Sequence, residues 1–299
     1  MTLASAVSTR RTVPRGETFV LVTSCPDKPG IVRAVAGLVA DHGCTIEESQ
    51  QFSDRRSARF FMRVQFAPAR DAGVDLAALR RDVEDVGSTF GMTWRLRDVA
   101  DRTRVLILVS RYGHCLNDLL YRAAIGWLPV DVAAVVSNHP DLGRMADNHD
   151  VPFHHVPVTA ERKPAAEAEL LRLVDRYDTD LVVLARYMQI LSPQLCTALA
   201  GRAINIHHSM LPSFKGARPY HQAHDRGVKV IGATAHYVTP DLDEGPIIEQ
   251  QVARIAHSMS PEEVTALGRE TECLALARAV RWHAEDRVLL NGHRTVVFS

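Results

Sequence analysis

Short apolar stretches and helical patterns alternate along the first hundred residues of the chain. The run FVLVTSC at residues 19–25 is apolar and β-branched, as in a strand, and the turn PDKPG separates it from apolar residues at helical spacing. The predicted order is strand, helix, strand, strand, helix, strand, at residues 19–25, 31–39, 44–52, 58–66, 75–90 and 92–97. This βαββαβ order predicts a ferredoxin-like domain, which we place at residues 17–98.

The pattern changes after the charged segment DVADRTR at residues 98–104, which we interpret as a linker. Nearly continuous Val, Ile and Leu runs now alternate with helical segments, and they predict strands at residues 105–109, 130–137, 153–158, 180–185, 203–207, 230–238 and 247–255. A long helix over 261–285 and a tight hairpin at Asn291-Gly292 complete the prediction. Such apolar strands are typical of a mostly parallel sheet with helices on both faces, so residues 104–299 are predicted to form a Rossmann-like α/β domain.

Composition narrows the classes of partner. The 299 residues include 35 basic and 35 acidic ones, so no overall field attracts nucleic acid or anionic lipid, and we expect neither partner. No apolar run reaches the length of about 18 residues that a membrane helix requires. Five scattered cysteines without a C-x-x-C pair favour reduced thiols and a cytoplasmic protein. Residues 1–16 contain no secretory apolar core and are expected to form a disordered tail.

The turn CPDKPG after the first strand resembles the start of ACT domains, a family of small-molecule sensors. Glycine suits a sharp turn from strand to helix, and amide groups at the start of a helix can hold a carboxylate. The resemblance implies an amino-acid effector, glycine or methionine, near Asp27, Lys28, Gly30 and Ile31, and a homo-oligomer formed by edge pairing of sheets. The alternative is a turn that only starts the helix.

Candidate chemistry is concentrated between residues 204 and 248. Asn205 and His207 are two residues apart at the end of a predicted strand, so their side chains point to the same face, at the edge where such folds bind ligands. Asp243 lies in a polar loop between two later strands, from which its carboxylate can reach the same cleft. An amide, an imidazole and a carboxylate together suit attack on a carbonyl by a weak nucleophile. Singly, each residue also fits a structural role, as a turn former, a hydrogen-bonded histidine or a solvated loop acid.

The stretch NIHHSMLPSFKG, followed by a loop with DLDEG, resembles the signature of the formyltransferases that use 10-formyltetrahydrofolate. The resemblance assigns the catalytic positions to Asn205, His207 and Asp243. It also implies a pocket for the folate substrate, formed by Met188, Gln189, Ile190, Leu191, His236, Asp241, Leu242 and Gly245. No cofactor is implied, because the folate is itself the substrate.

Two features favour water over an amine as the formyl acceptor. The loop SRYGHCL at residues 110–116 has one glycine and is a poor phosphate cradle. His208 and the run ARPYH, behind an ACT-like domain, resemble the formyltetrahydrofolate deformylase family. That resemblance implies hydrolysis of 10-formyltetrahydrofolate to formate, which feeds purine synthesis and balances the one-carbon pool. A formyltransferase that acts on an amine and a catalytically silent folate or amino-acid sensor are the alternatives.

The histidines of this region also permit a metal interpretation, since five of them lie between residues 207 and 236. His221 and His224 have helical i, i+3 spacing but lack an adjacent glutamate base, and a histidine with an aspartate suffices for water attack on a formyl amide. We therefore predict no metal site. Lys215 and Arg218 are interpreted as loop anchors.

Overall fold

The computed structural model describes residues 18–69, 74–211 and 219–299. The chain forms two compact units, with the boundary between Asp101 and Arg102. The tail expected at residues 1–16 lies outside the described residues, as do Lys215 and Arg218.

The first unit is a four-stranded antiparallel sheet with two helices. Its elements are β1 Phe19–Pro26, α1 Ile31–Asp41, β2 Cys44–Asp54, β3 Arg59–Pro68, α2 Leu76–Phe90 and β4 Thr93–Asp98. The strand order β2-β3-β1-β4 is that of a ferredoxin-like fold, which confirms the predicted fold class. Apolar side chains of both helices pack against one face of the sheet and form the core of this unit.

Special residues set the ends of these helices. α1 follows Gly30, whose φ of 98° lies in the left-handed region that favours glycine. Asp75 caps α2, because its carboxylate accepts from the backbone N–H groups of Ala77 and Ala78. Gly91, with a φ of 67°, ends the same helix. The predicted helix over 75–90 therefore begins one residue later, after its cap.

The second unit contains nine strands and six helices among its described residues. Its elements are β5 Thr103–Val109, α3 His114–Ala124, β6 Val130–Ser137, α4 Gly143–Asp147, β7 Phe153–His155, α5 Lys163–Arg176, β8 Leu181–Leu184, α6 Pro193–Ala198, β9 Ala203–His207, α7 Pro219–Asp225, β10 Val230–Tyr237, β11 Ile247–Arg254, α8 Pro261–Ala284, β12 Val288–Asn291 and β13 Arg294–Val297.

Seven of these strands form one sheet, in the order β11-β10-β9-β8-β5-β6-β7. The strands β5 to β9 are parallel, whereas β10 is antiparallel to both β9 and β11. This mostly parallel sheet confirms the predicted α/β class. The separate hairpin of β12 and β13 turns at Gly292 and His293, one position beyond the predicted turn, because Asn291 still pairs with Arg294.

Helices cover both faces of the seven-stranded sheet. Along β5, Val105, Ile107 and Val109 pack on the side of α3 and α8, while Leu106 and Leu108 pack on the side of α5 and α6. The carboxyl ends of β5, β8 and β9 are neighbours at one edge, where parallel sheets of this kind bind ligands. Within the described residues, none of the helices has the length and apolar character needed to cross a membrane.

Candidate active site

Asn205 and His236 face each other across two strands. The antiparallel pairing of β9 with β10 places Asn205 directly opposite His236. The Nδ1 atom of His236 lies 2.9 Å from the carbonyl oxygen of Tyr237, so this nitrogen carries the ring hydrogen, and burial lowers the pKa of His236. Its Nε2 then accepts from the carboxamide of Asn205 at 3.2 Å. One N–H group of Asn205 is used in this way, and the second is left for a ligand.

His207 and Asp243 form a second pair. The Nδ1 atom of His207 lies 3.2 Å from Oδ1 of Asp243. The hydrogen bond from His207 lowers the pKa of Asp243, so its carboxylate is charged near neutral pH. The Nε2 atom of His207 is buried and has no hydrogen-bond partner among the described residues. Because buried polar atoms normally have a partner, this nitrogen is available to a ligand.

The loop that carries Asp243 has a constrained backbone. Asp243 has a φ of 58°, a left-handed conformation that aspartate adopts more readily than most residues, and the amide of Glu244 donates to the carbonyl oxygen of Asp241. Gly245 packs against β10 so closely that a Cβ atom there would overlap the carbonyl oxygen of Tyr237. The position of the Asp243 carboxylate therefore depends on the absence of a side chain at Gly245.

One cavity of about 360 Å³ joins these residues at the carboxyl ends of β8 and β9. Its wall includes seven of the predicted substrate-binding residues, Met188, Gln189, Ile190, Leu191, His236, Asp241 and Leu242. The eighth, Gly245, lies behind the wall and supports it. Met188, Ile190 and Leu242 are each more than half exposed, which indicates a surface for an apolar ligand.

A second polar cluster surrounds Glu272 of α8, which is 1% exposed. Its carboxylate accepts from Nε2 of His114 and from the hydroxyl group of Tyr220, both at 2.7 Å, and lies 3.4 Å from Nε of Arg186. Burial alone raises the pKa of such a carboxyl group, but these partners bring the pKa of Glu272 below its ordinary value. One buried carboxylate thus connects α8 to α3, to α7 and to the segment after β8.

The same cluster includes three residues that could hold a metal ion. Ligand atoms of His114, Cys115 and Glu272 lie within 4.8 Å of one another. The guanidinium group of Arg186 beside the Glu272 carboxylate opposes a cation there. A hydrogen bond with Cys273, together with burial, also raises the pKa of the Cys115 thiol and disfavours the thiolate that a metal needs. These residues therefore fit a structural cluster better than a metal centre.

The other histidines are divided between the cavity and the surface. His208 stacks on His207, with ring centroids 5.2 Å apart and an angle of 19° between the planes, and it borders the cavity. Burial, followed by the charges of Arg186 and His207, lowers the pKa of His208 to about 4, so the ring is neutral at pH 7. His221 is exposed, and Nε2 of His224 bonds to a backbone carbonyl.

The turn that was predicted to bind an effector lies at the surface of the first unit. Asp27 and Lys28 are exposed, and the amide of Asp27 donates to the carbonyl oxygen of Ala58. The side chain of Ile31 is buried in the core of the first unit, which leaves only its backbone for a ligand. Gly30 borders an open groove between α1 and α2.

Two family models match the chain. The formyl transferase model matches residues 103–280, and the ACT domain model matches residues 19–83. A formyltetrahydrofolate deformylase from Corynebacterium sp. (strain P-1) is 52% identical over 279 residues, which cover 93% of this chain and 97% of the relative. The chain belongs to the formyltetrahydrofolate deformylase family.

Solved structures separate this family from the transformylases. The structure of the formyltetrahydrofolate deformylase from Burkholderia mallei ATCC 23344 has a TM-score of 0.91 and 53% identity, and the match covers 95% of this chain and 100% of that one. Glycinamide ribonucleotide transformylase 1 from Symbiobacterium toebii has a TM-score of 0.63 and 33% identity, and the match covers 66% of this chain and 95% of that one. The structural match therefore extends over nearly the whole chain for the deformylase, but over about two thirds of it for the transformylase.

Sequence reasoning missed the residues around Glu272. One signal was present: Glu272 lies on the apolar side of α8, together with Ala275 and Leu276 at i+3 and i+4. An acid in that position needs buried partners, which His114 supplies. The sequence gives no such signal for Arg186. Its side chain reaches Glu272 from a residue with a left-handed φ of 64°, and the sequence does not reveal this backbone conformation.

Proposed function

We propose that the protein hydrolyses 10-formyltetrahydrofolate and releases formate and tetrahydrofolate. The observation that carries this proposal is the meeting of Asn205, His207 and Asp243 at one cavity, with an N–H group of Asn205 and Nε2 of His207 left for a ligand. The names of the relatives that align over most of the chain support the same reaction.

Each of the three residues has a proposed task. Asn205 donates its second N–H group to the formyl oxygen, and this bond strengthens as negative charge develops there. His236 fixes the carboxamide in the required orientation. Asp243, whose carboxylate accepts from Nδ1 of His207 at 3.2 Å, polarises the imidazole and helps to activate the water. The free Nε2 of His207 takes a proton from the attacking water and passes it to the leaving nitrogen. No cofactor takes part in this sequence of steps.

The exposed apolar wall is proposed to hold the folate ring. The side chains of Met188, Ile190 and Leu242 would enclose the ring faces, which explains why large apolar groups are exposed there. Backbone groups near Leu191 and in the loop from Asp241 to Gly245 would bind the polar edge of the heterocycle. Gly245 supports this loop from behind.

The first loop of the second unit favours water over a phosphorylated amine as the acceptor. His114 at the start of α3 is bound to Glu272, and the ring of Tyr112 lies 5.7 Å from the guanidinium group of Arg186. Bulky side chains in contact with their neighbours therefore occupy this loop. A phosphate cradle needs open backbone amides instead.

We further propose a regulatory domain at residues 17–98 and a catalytic domain at residues 104–299. The ACT match supports an amino-acid effector, glycine or methionine, at the turn of residues 27–31, and a homo-oligomer. Five free cysteines favour the cytoplasm. Formate released there would supply purine synthesis and balance the one-carbon pool.

The test is incubation of the purified protein with 10-formyltetrahydrofolate in buffer without an amine. We expect formate and tetrahydrofolate in equal amounts, loss of both in His207→Ala, and an unchanged rate in His257→Ala, which alters an exposed histidine. Release that depends on an added amine would instead identify a transferase. No release with any acceptor would favour the catalytically silent sensor.

A further inference from the structure

His208 borders the same cavity as Asn205, His207 and Asp243, yet the proposed mechanism gives it no task. Hydrolysis needs a group that holds a water molecule at the formyl carbon. The other three residues act on the formyl oxygen and on the protons. Among the described residues, the ring of His208 has no hydrogen-bond partner, and it borders the cavity that a small ligand would enter.

The ring of His208 lies between two aromatic neighbours. It stacks on His207 at 5.2 Å and lies 6.4 Å from the ring of Tyr220. The hydroxyl group of Tyr220 donates to Glu272 at 2.7 Å, which fixes this tyrosine to α8. The plane of His208 lies within 19° of that of His207, whose Nε2 has no hydrogen-bond partner among the described residues.

The charge state of His208 suits an orienting role. Its neutral imidazole offers one N–H donor and one acceptor nitrogen, the two functions needed to bind and turn a water molecule. Burial, then Arg186 and His207, lowers the pKa of His208 to about 4, so the ring is too weak a base to keep the proton of the water. Arg186 is itself held by Glu272, with Nε 3.4 Å from the carboxylate.

We propose that His208 holds the attacking water and thereby makes water, rather than an amine, the formyl acceptor. The inference rests on the proposed hydrolysis. The water donates one hydrogen bond to the unprotonated nitrogen of His208 and gives its other proton to Nε2 of His207, whose developing charge Asp243 stabilises. Its oxygen bonds to the formyl carbon, the bond from that carbon to nitrogen breaks, and the proton passes through His207 to the leaving nitrogen. The formic acid produced then loses its remaining proton.

The experiment compares two acceptors in one reaction. Wild type, His208→Leu and His208→Gln are given 10-formyltetrahydrofolate with hydroxylamine, and both formate and formohydroxamate are measured. In His208→Leu, we expect kcat for hydrolysis to fall about 100-fold with little change in KM, and transfer to hydroxylamine to fall much less. The ratio of formohydroxamate to formate then rises roughly tenfold or more. His208→Gln, which keeps a donor and an acceptor, should recover part of the hydrolysis.

Several outcomes would overturn the inference. Equal losses of both products, or a rise in KM alone, would mean that His208 only shapes the pocket. If His208→Leu does not fold, as judged by circular dichroism, His208→Ala carries the test, and an unchanged product ratio in that variant contradicts the inference. A wild-type protein without hydrolysis would contradict the proposed function itself, and is recognised before any variant is made.

Discussion

The turn at residues 27–31 of the first unit and the Asp243 loop of the second both depend on a glycine, but for different physical reasons. Gly30 has a φ of 98°, and the nearest atom to an added Cβ would be 3.9 Å away, on Phe90. Gly245 is needed for space, because an added Cβ would overlap the carbonyl oxygen of Tyr237. The first requirement is local. The second arises because the two ends of the loop that carries Asp243 pack against each other where β10 meets β11, and this packing can hold a reacting group in place.

The largest effect is expected from Asp243→Asn, which removes the charge that polarises His207 but keeps the shape of the side chain. We expect kcat to fall roughly 1,000-fold, on the order of 4 kcal/mol in activation free energy, while folate binding stays within a few-fold. Stopped-flow turnover and fluorescence titration measure the two quantities. The matched change in the exposed turn, Asp27→Asn, should leave basal kcat unchanged. A variant of Asp243 with most of its rate would remove this residue from the mechanism.

Gly245→Ala should have the next largest effect. The new methyl group cannot fit against Tyr237, so the loop must move and displace the Asp243 carboxylate from His207. A shift of about 1 Å at a reacting group commonly costs about 100-fold in rate, and we expect a loss of kcat of that order. Steady-state kinetics measures it, with circular dichroism to verify folding. Near wild-type kcat would show that the loop adapts without moving the carboxylate.

His208 should make stability depend on pH. Burial, Arg186 and His207 lower the pKa of His208 in the folded protein to about 4. At pH values between about 4 and the ordinary pKa of histidine, only the unfolded chain binds this proton. Stability from this group is complete above about pH 6.5 and is lost as the pH falls toward about 4. From pH 7 to pH 5 we expect a loss of roughly 2 kcal/mol, which His208→Gln removes.

Urea unfolding at both pH values, followed by tryptophan fluorescence, tests this expectation, because Trp127 and Trp282 lie in the second unit. The comparison of the variant with wild type at each pH isolates His208 from the other histidines. The same pH dependence in both proteins would contradict a buried neutral ring.

The smallest effect is expected from Gly30→Ala. A left-handed φ costs a residue with a side chain about 1 kcal/mol, and open space around the position adds no clash. We therefore expect the free energy of unfolding to fall by about 1 kcal/mol, with basal kcat unchanged. Gly37→Ala in α1 is the control, since it adds a methyl group in open space within a helix and should stabilise slightly. A large loss of basal turnover in Gly30→Ala would contradict the expectation that this turn takes no part in basal catalysis.

The sequence predicted the elements well where the pattern was long and periodic. The runs that became β1, β5 and β9 were recognised within a residue or two, because buried strands leave continuous apolar stretches. The hairpin turn was misplaced by one position, since a Gly in the turn does not specify which neighbour completes it. Asn205 and His207 were placed on one face from their spacing alone.

The role of Glu272 could not be read in the same way. Its partners His114, Arg186 and Tyr220 come from three other segments, and no periodicity links them. The same holds for the hydrogen bond between Asn205 and His236, which depends on the register of β9 with β10. The register between two strands is set by how they pack in the folded protein, and it cannot be predicted from a single sequence.

By itself, the sequence determined the fold class and the residue types available for catalysis, because apolar period and strand-end position are local properties. Only the tertiary structure decided which nitrogen of His207 is free, that His236 fixes Asn205, and that His208 is neutral. Those properties depend on burial and on charges from distant segments, and both arise only when the chain has folded.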